Sequence, residues 1–286
     1  MIDFENGQWG KKATIRTPWN SLMLSVLLSS NIRELELNWG KGWKGEVEFL
    51  RRLPDLRSLT LIDRVLDHIE PVHVLHRLLD LKLLTYSDSP VDFDSFPELQ
   101  TLDFEWIKGS NSLFNRESLR SLSVNSYKGK SSAPFGKLTR LDSLWIANSP
   151  IKDLTGLSPL QDLSYLSLKN LRSLASLDGI EELRNLKVLE MHACPKIDVV
   201  TKIFELDKLE RLLLLAMGRI ESIRGIENLT DLKSFLFYGS TDIVDGDLSP
   251  IKRLPKLSDI HFANRKHYSH KFEEFDVLNA ANRGLS

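Results

Sequence analysis

Apolar residues recur along almost the whole chain in one phrase, L-x-x-L-x-L. Its eleven copies start at Ile32, Leu56, Leu78, Leu99, Leu119, Leu141, Leu163, Leu186, Leu209, Leu232 and Leu257. First to last, 225 residues are covered in ten steps, a mean period of 22.5. In Leu141-Asp142-Ser143-Leu144-Trp145-Ile146, Leu144 and Ile146 alternate with a two-residue period, which predicts a short strand with one buried face. Such a strand cannot bury its apolar side alone. Stacking it on its copies builds a continuous core, so the pattern predicts about eleven parallel strands spanning on the order of 50 Å. The rest of each period must carry the chain back. Ile180 and Leu183, or Ile223, Ile226 and Leu229, are spaced near three, which predicts crossings made of short 3-10 or one- to two-turn helical pieces. Strands on the inner side and bulkier crossings on the outer side give an α/β, curved solenoid with a concave sheet.

The two ends read differently. Residues 1–31 are expected to form an N-terminal cap, with an edge strand near Thr14-Ile15 and then a helix. In that helix Thr17 is the N-cap, Pro18 the first residue, and Leu22 and Val26 face the first repeat. The apolar run Ser21 to Ser30 could pass for a signal-peptide core, but it follows the acids Asp3 and Glu5 and lacks an A-x-A-like cleavage site. Residues 32–264 are the repeats. Residues 265–286 are a C-terminal cap in which Phe272, Phe275 and Leu278 recur every third residue. The three parts make one continuous domain. Its loosest repeats lie between Ile62 and Lys137, where Pro71, Pro90, Pro97, Gly109, Gly129 and Pro134 punctuate the crossings.

Composition narrows the picture little. The 286 residues are 42% hydrophobic and 27% charged, with a formal net charge of −1, which points to neither nucleic acid nor a membrane surface. Cys194 is the only cysteine, so no internal disulfide forms and a cytoplasmic location is expected. No apolar run approaches the roughly 18 residues of a transmembrane helix.

The best-matched stretch runs from Leu157 to Phe237. It holds Leu160-x-x-Leu163-x-x-Leu166-x-Leu168, Leu183-x-x-Leu186-x-x-Leu189-x-Met191 and Leu206-x-x-Leu209-x-x-Leu212-x-Leu214. These phrases resemble the 22-residue class of leucine-rich repeats found in internalins and in the regulatory subunit of protein phosphatase 1, and the resemblance extends over three-quarters of the chain. It implies the fold and leaves function open. The chain departs from that class in one respect. The resemblance implies an asparagine after each strand that bonds neighbouring turns, but the corresponding positions hold Gly40, Arg64, Tyr86, Ser149, Leu171, Cys194, Met217 and Ser240, so no asparagine ladder is expected. The Gly42-Trp43-Lys44-Gly45 turn and the terminal run Asn264 to Lys271 look like features of bacterial cytoplasmic leucine-rich-repeat proteins. Some members of that group look like immunity proteins, which neutralise the toxins of competing bacteria.

With the second and third leucines of each phrase turned inward, the positions beside them point out of the sheet. In the first four repeats the outward and exit-turn positions hold Glu34, Glu36, Asp63, Asp80, Asp103 and Glu105 against Lys82 alone, a local net of −5 in a chain of net −1. Such a field would attract a basic partner. The aromatics Trp39, Trp106, Trp145, Tyr165 and Tyr238 fall in the same set, with Tyr86 and Tyr127 one residue further on; Trp and Tyr suit interface anchors. Toward the C-terminal end Val188, Leu213, Leu215 and Leu236 also point outward, an apolar patch that needs a cover.

Chemical signatures are sparse. The pairs His73-x-x-His76 and His267-x-x-His270 lack a third ligand, and Asp242, Asp245 and Asp247 around Gly246 miss the calcium-loop spacing. No Walker loop, G-x-S-x-G or dinucleotide fingerprint is present. The expectation is a protein without cofactor, metal or catalytic residues. It binds a protein partner, not nucleic acid or membrane, and its most concrete form is an immunity protein sequestering a basic toxin domain. The alternatives are a scaffold or regulatory subunit docking on an endogenous enzyme and, third, a hydrolase with an unrecognised site.

Overall fold

A computed structural model describes residues 1–275. The chain forms two compact units, Met1–Ser126 and Tyr127–Ser286. The first contains β1 (Ile2–Asn6), β2 (Lys11–Ile15), α1 (Leu22–Ser29), β3 (Glu34–Asn38), β4 (Ser58–Ile62), β5 (Asp80–Leu84), β6 (Thr101–Glu105) and β7 (Ser121–Asn125). The second contains β8 (Ser143–Ala147), β9 (Tyr165–Lys169), β10 (Val188–His192), β11 (Arg211–Leu215), β12 (Arg219–Ile220), β13 (Ser234–Tyr238), β14 (Asp242–Ile243) and β15 (Asp259–Phe262). Each of the eleven phrases yields one strand, from β3 through β15, with β12 and β14 as extra two-residue pieces on the return path. The returns carry 3-10 turns such as Glu48–Arg52, Ile180–Glu182 and Ile226–Asn228, as their threefold spacing predicts.

Register follows the leucines. In the first unit Leu35, Leu59, Leu81, Leu102 and Leu122 stand side by side, as do Leu37, Leu61, Leu83, Phe104 and Val124. In the second unit the two rows are Leu144, Leu166, Leu189, Leu212, Phe235, Ile260 and Ile146, Leu168, Met191, Leu214, Phe237, Phe262. Every one of these side chains is buried. A one-residue slip would turn the whole row to solvent, so the burial itself fixes the pairing.

The N-terminal cap differs from its expectation. The helix starts at Leu22 with Ser21 as N-cap, not at Pro18. Pro18 instead bridges Lys44, and the Trp19 amide donates to the Lys44 carbonyl at 2.8 Å, which holds residues 18–19 out of the helix. The later start rotates the face: Met23 and Leu27 are buried, whereas Leu22 and Val26 are exposed. The strand expected near Thr14-Ile15 is β2, but it is not an edge: it runs parallel to β3 on one side, and on the other β1 pairs with it antiparallel through a hairpin closed by the Gly7 amide on the Gly10 carbonyl at 2.8 Å. At the other end Phe275 is buried against Phe262, their ring centroids 5.8 Å apart. Leu278 lies outside the described residues.

Short hydroxyl side chains take over the work of the missing asparagines. Thr241 Oγ donates to the Leu214 carbonyl at 2.8 Å and accepts the Met217 amide at 3.0 Å. Ser87 and Ser89 both donate to the Asp67 carbonyl, at 2.7 and 2.9 Å. Leu171, Cys194 and Met217 simply bury where an asparagine would stand. Burial pushes the Cys194 thiol up to about 11, so it is an inert core group at neutral pH. One asparagine rung does exist, a residue earlier than expected: Asn170 Nδ2 donates to Asn148 Oδ1 at 3.1 Å. Those two asparagines, with Ala193, Ala216 and Gly239, directly follow their strands, and all five have positive φ. Asparagine and glycine tolerate this region, but alanine does not.

Two stability outcomes follow from this packing. Leu166→Ala deletes a fully buried side chain in the middle of a row and should lower the unfolding free energy by about 2–5 kcal/mol in denaturant titration. Ala193→Gly and Ala216→Gly should each raise it by about 1 kcal/mol, the reverse of the usual sign for this change, because φ is +54° and +52° there.

Candidate functional site

Outward positions of the strands carry the residues that the sequence marks for binding, and each unit presents its own set. In the first unit the acidic set is not an open field. Glu34 and Glu36 are only 8% and 6% exposed. The tip of the β1–β2 hairpin lies on them: the Trp9 amide donates to Glu34 and the Trp9 indole N–H donates to Asp80. Gly7 permits this approach, since a Cβ there would run into the Glu34 carboxylate. Lys12 and Lys41 reach Glu36 at 3.3 and 2.7 Å, and Asn38 Nδ2 donates to it at 3.3 Å. Lys82 holds Asp103 at 2.6 Å, and Asn125 Nδ2 donates to Glu105. Asp63 is buried, and its carboxylate accepts the Val65 amide at 2.9 Å.

Two opposing causes set the charge of Glu36. Burial pushes its carboxyl up, but hydrogen bonds from Lys41, Asn38 and Lys12 outweigh it and hold the group below the usual carboxylate range. The Glu5 contact, opposed by burial and aided by Glu36, raises Lys12. The expected acidic attraction is thus largely satisfied within the chain. Sequence reading missed Trp9, Lys12, Lys41 and Asn125. One signal was present: two alternating runs, Ile2–Asn6 and Lys11–Ile15, flank Gly7-Gln8-Trp9-Gly10, the pattern of a hairpin.

Aromatic candidates divide by burial. Tyr127, expected to be exposed, is 4% exposed, with its ring edge-on to Phe135 at 5.0 Å and its hydroxyl donating to the Ser131 carbonyl at 3.3 Å; it is a core residue. Trp106 is half-buried beside Phe104 and Phe114, each 5.9 Å away. Trp39 stands clear, 56% exposed, on the 3-10 turn Trp39–Lys41.

In the second unit the outward aromatic and leucine side chains are half-buried, and Phe272 of the C-terminal segment meets the outward His261 with ring centroids 5.4 Å apart. Trp145 and Tyr165 meet at 4.6 Å, and the Tyr165 hydroxyl donates to Glu190 at 2.7 Å. Arg211 approaches Glu190 at 3.9 Å. Beyond them Leu213 is register partner to Leu236, and Leu215 to Tyr238; all four are half-buried, with Tyr238 edge-on to His261 at 5.6 Å. One strand earlier Val188 is register partner to Arg211, and Glu190 to Leu213. The strands thus place one leucine pair, Leu213–Leu236, a neighbouring Leu215–Tyr238 pair and the Trp145–Tyr165 aromatic pair on one face.

The histidines do not gather into a site. His73 Nε2 accepts the Asp92 amide at 3.0 Å, and His76 Nδ1 lies 2.9 Å from the Ser95 carbonyl. His267 lies 3.0 Å from the Ile243 carbonyl and His270 2.8 Å from Ser269 Oγ. Asp245 and Asp247 accept amides of their own turn at 3.1 and 2.9 Å. Among the described residues no three His, Cys, Asp or Glu side chains are grouped to hold a metal ion, and no helix is long and apolar enough to cross a membrane.

Solved structures share this arrangement. An internalin, InlF of Listeria monocytogenes, superposes with a TM-score of 0.65 at 22% identity, covering 85% of this chain and 71% of that one. The Arabidopsis receptor kinase HAESA, solved with the peptide hormone IDA and the co-receptor SERK1, gives 0.57 at 18% identity over 82% of this chain and 46% of its own. The functional domain of InlJ from Listeria monocytogenes, which includes a cysteine ladder, gives 0.50 at 16% over 78% and 57%. The fold is an internalin-like leucine-rich-repeat solenoid. No family model and no curated protein sequence matches the chain. Cys194 is the single cysteine here, so this chain has no cysteine ladder of its own.

The Glu36 cluster generates a pH test. Its folded carboxyl sits below the ordinary value, so its contribution is present above the unfolded pKa of about 4.3 and is lost as pH falls through the folded value. Glu36→Gln should therefore cost about 1–3 kcal/mol at pH 7. The gap from wild type should close at acid pH when urea unfolding of both is followed from pH 7 downward.

Proposed function

We propose that the protein is a non-enzymatic binding module that holds a protein partner on the outward face of strands β8 to β15. The observation that carries this reading is the set Leu213, Leu215, Leu236 and Tyr238, half-buried neighbours on the face that also carries the Trp145–Tyr165 pair two strands away. The leucine–tyrosine group is bordered by Glu190, Arg211 and His261, an apolar centre with a polar rim, and Ser167 and Glu190 stand between it and Trp145 in the same row. The HAESA structure, in which this fold is seen with a peptide hormone and a co-receptor, is consistent with that use.

In its most concrete form the module is a cytoplasmic bacterial immunity protein that sequesters a toxin domain. The family resemblance of the Gly42–Gly45 turn and the Asn264–Lys271 run supports this form. A basic toxin surface would meet Asp103 and Glu105 in the first unit, but Lys82 and Asn125 already engage those groups, so electrostatic steering from them is modest and the apolar face dominates.

Pull-down from an extract of the source cell, with mass spectrometry, tests the reading. Wild-type protein should retain one stoichiometric partner, and Leu213→Asp with Leu236→Asp should lose it while circular dichroism stays unchanged. In surface plasmon resonance with that partner, Trp145→Ala should mainly speed dissociation, at a cost of about 2 kcal/mol. Wild-type kinetics in both variants would move the interface elsewhere.

A further inference from the structure

Ten large apolar side chains are exposed among the described residues, and five of them belong to the N-terminal cap: Met1, Phe4, Leu22, Val26 and Leu28. Three of the other five lie on consecutive turns of the first unit, just past the ends of β3, β4 and β5: Trp39, Val65 and Tyr86, at 56%, 78% and 61% exposure. Their exposure is imposed by the backbone. Asn38 Oδ1 accepts the Gly40 amide at 2.9 Å and the Gly42 amide donates to the Trp39 carbonyl at 3.0 Å, which turns Trp39 outward above the buried Trp43. Gly42 has φ +103°, and a Cβ there would strike the Arg16 carbonyl, so this turn is built for glycine. Asp63 accepts the Val65 amide, and Thr85 Oγ accepts the Ser87 amide at 3.3 Å, so the next two turns present Val65 and Tyr86 in the same way.

Trp39 and Val65 both line a cleft of about 780 Å³. Five acids line it, Glu46, Glu48, Asp63, Asp67 and Glu70, against Lys44 and Arg51. Arg51 is spent on Glu48 at 2.7 Å. The acids of the strand face are paired within the chain, whereas Glu46 and Asp67 have no ion-pair partner among the described residues. Apolar walls with unpaired carboxylates at the rim suit an apolar side chain flanked by cations.

We propose that this exit-turn cleft is a second binding site, separate from the strand face, which takes a short cationic segment of a protein: an apolar anchor between Trp39 and Val65, lysine or arginine neighbours on Glu46 and Asp67, and Tyr86 extending the row by one turn. Neighbouring turns are about 4.8 Å apart, so three turns match three to four residues of extended peptide at about 3.3 Å each. The net negative lining disfavours nucleic acid.

A fluorescein-labelled hexapeptide of alternating lysine and leucine, read by anisotropy at low salt, tests the proposal against the same peptide with glutamate for lysine. Saturable binding with a Kd of roughly 10–100 μM is expected for the lysine peptide alone. Trp39→Ala with Val65→Ser should weaken it about tenfold or more, as should Val65→Ser alone to a smaller extent if the double variant does not fold. Glu46→Lys with Asp67→Lys should abolish binding, and Trp145→Ala should leave it unchanged. No saturation up to about 1 mM, equal binding of the glutamate peptide, or wild-type affinity in the folded Val65→Ser and Asp67→Lys variants overturns the proposal. Loss on Trp145→Ala also overturns it, by placing the peptide on the strand face.

Discussion

Each turn of this chain supplies two inward apolar side chains on a strand of four or five residues, too short to hold together alone, and their burial between the turns on either side is the constraint on which the rest of the structure depends. Leu166 is buried because Leu144 and Leu189 stand beside it in register. That row fixes where β9 lies, and so fixes that Tyr165 and Ser167 face outward. Hydrophobic burial is non-directional, but a two-residue side-chain period makes it decide orientation as well as stability.

A stack of strands leaves backbone groups at every exit turn that must find partners. This chain meets the demand with mixed chemistry: Thr241 on Leu214, Ser87 and Ser89 on Asp67, the Asn148–Asn170 rung, and apolar burial of Leu171, Cys194 and Met217. The common element is the backbone, which takes positive φ directly after β8, β9, β10, β11 and β13 whether the residue is asparagine, alanine or glycine. The turn geometry is set by the stack, and two alanines bear the strain of it.

Charge is managed differently on different surfaces. On the strand face of the first unit, carboxylates are consumed by the chain itself, through Trp9, Lys12, Lys41, Lys82 and Asn125. At the exit turns Glu46 and Asp67, which have no ion-pair partner among the described residues, line the same cleft as Trp39 and Val65. On the strand face of the second unit apolar contact area replaces charge, with Glu190 and Arg211 at its margin. Affinity there would come from desolvating Leu213, Leu236 and Tyr238, and orientation from the polar margin.

The sequence by itself determined the eleven phrase strands, their inward leucines, the 3-10 returns and the outward places of Trp145, Tyr165, Leu213, Leu236 and Tyr238, because all of these follow from local period and the need to bury a half-apolar strand. What covers the outward places came from contacts between segments far apart in the chain. Trp9 reaches Glu34 and Asp80 across 25 and 71 residues of chain. Tyr127, one position past the outward set, turns into the core against Phe135. The helix face of the N-terminal cap rotated because Pro18 pairs with Lys44, a contact no local pattern encodes. Periodicity reports the direction in which a side chain leaves its own backbone, whereas exposure and charge depend on which distant segment arrives above it, and that is settled by the folded chain as a whole.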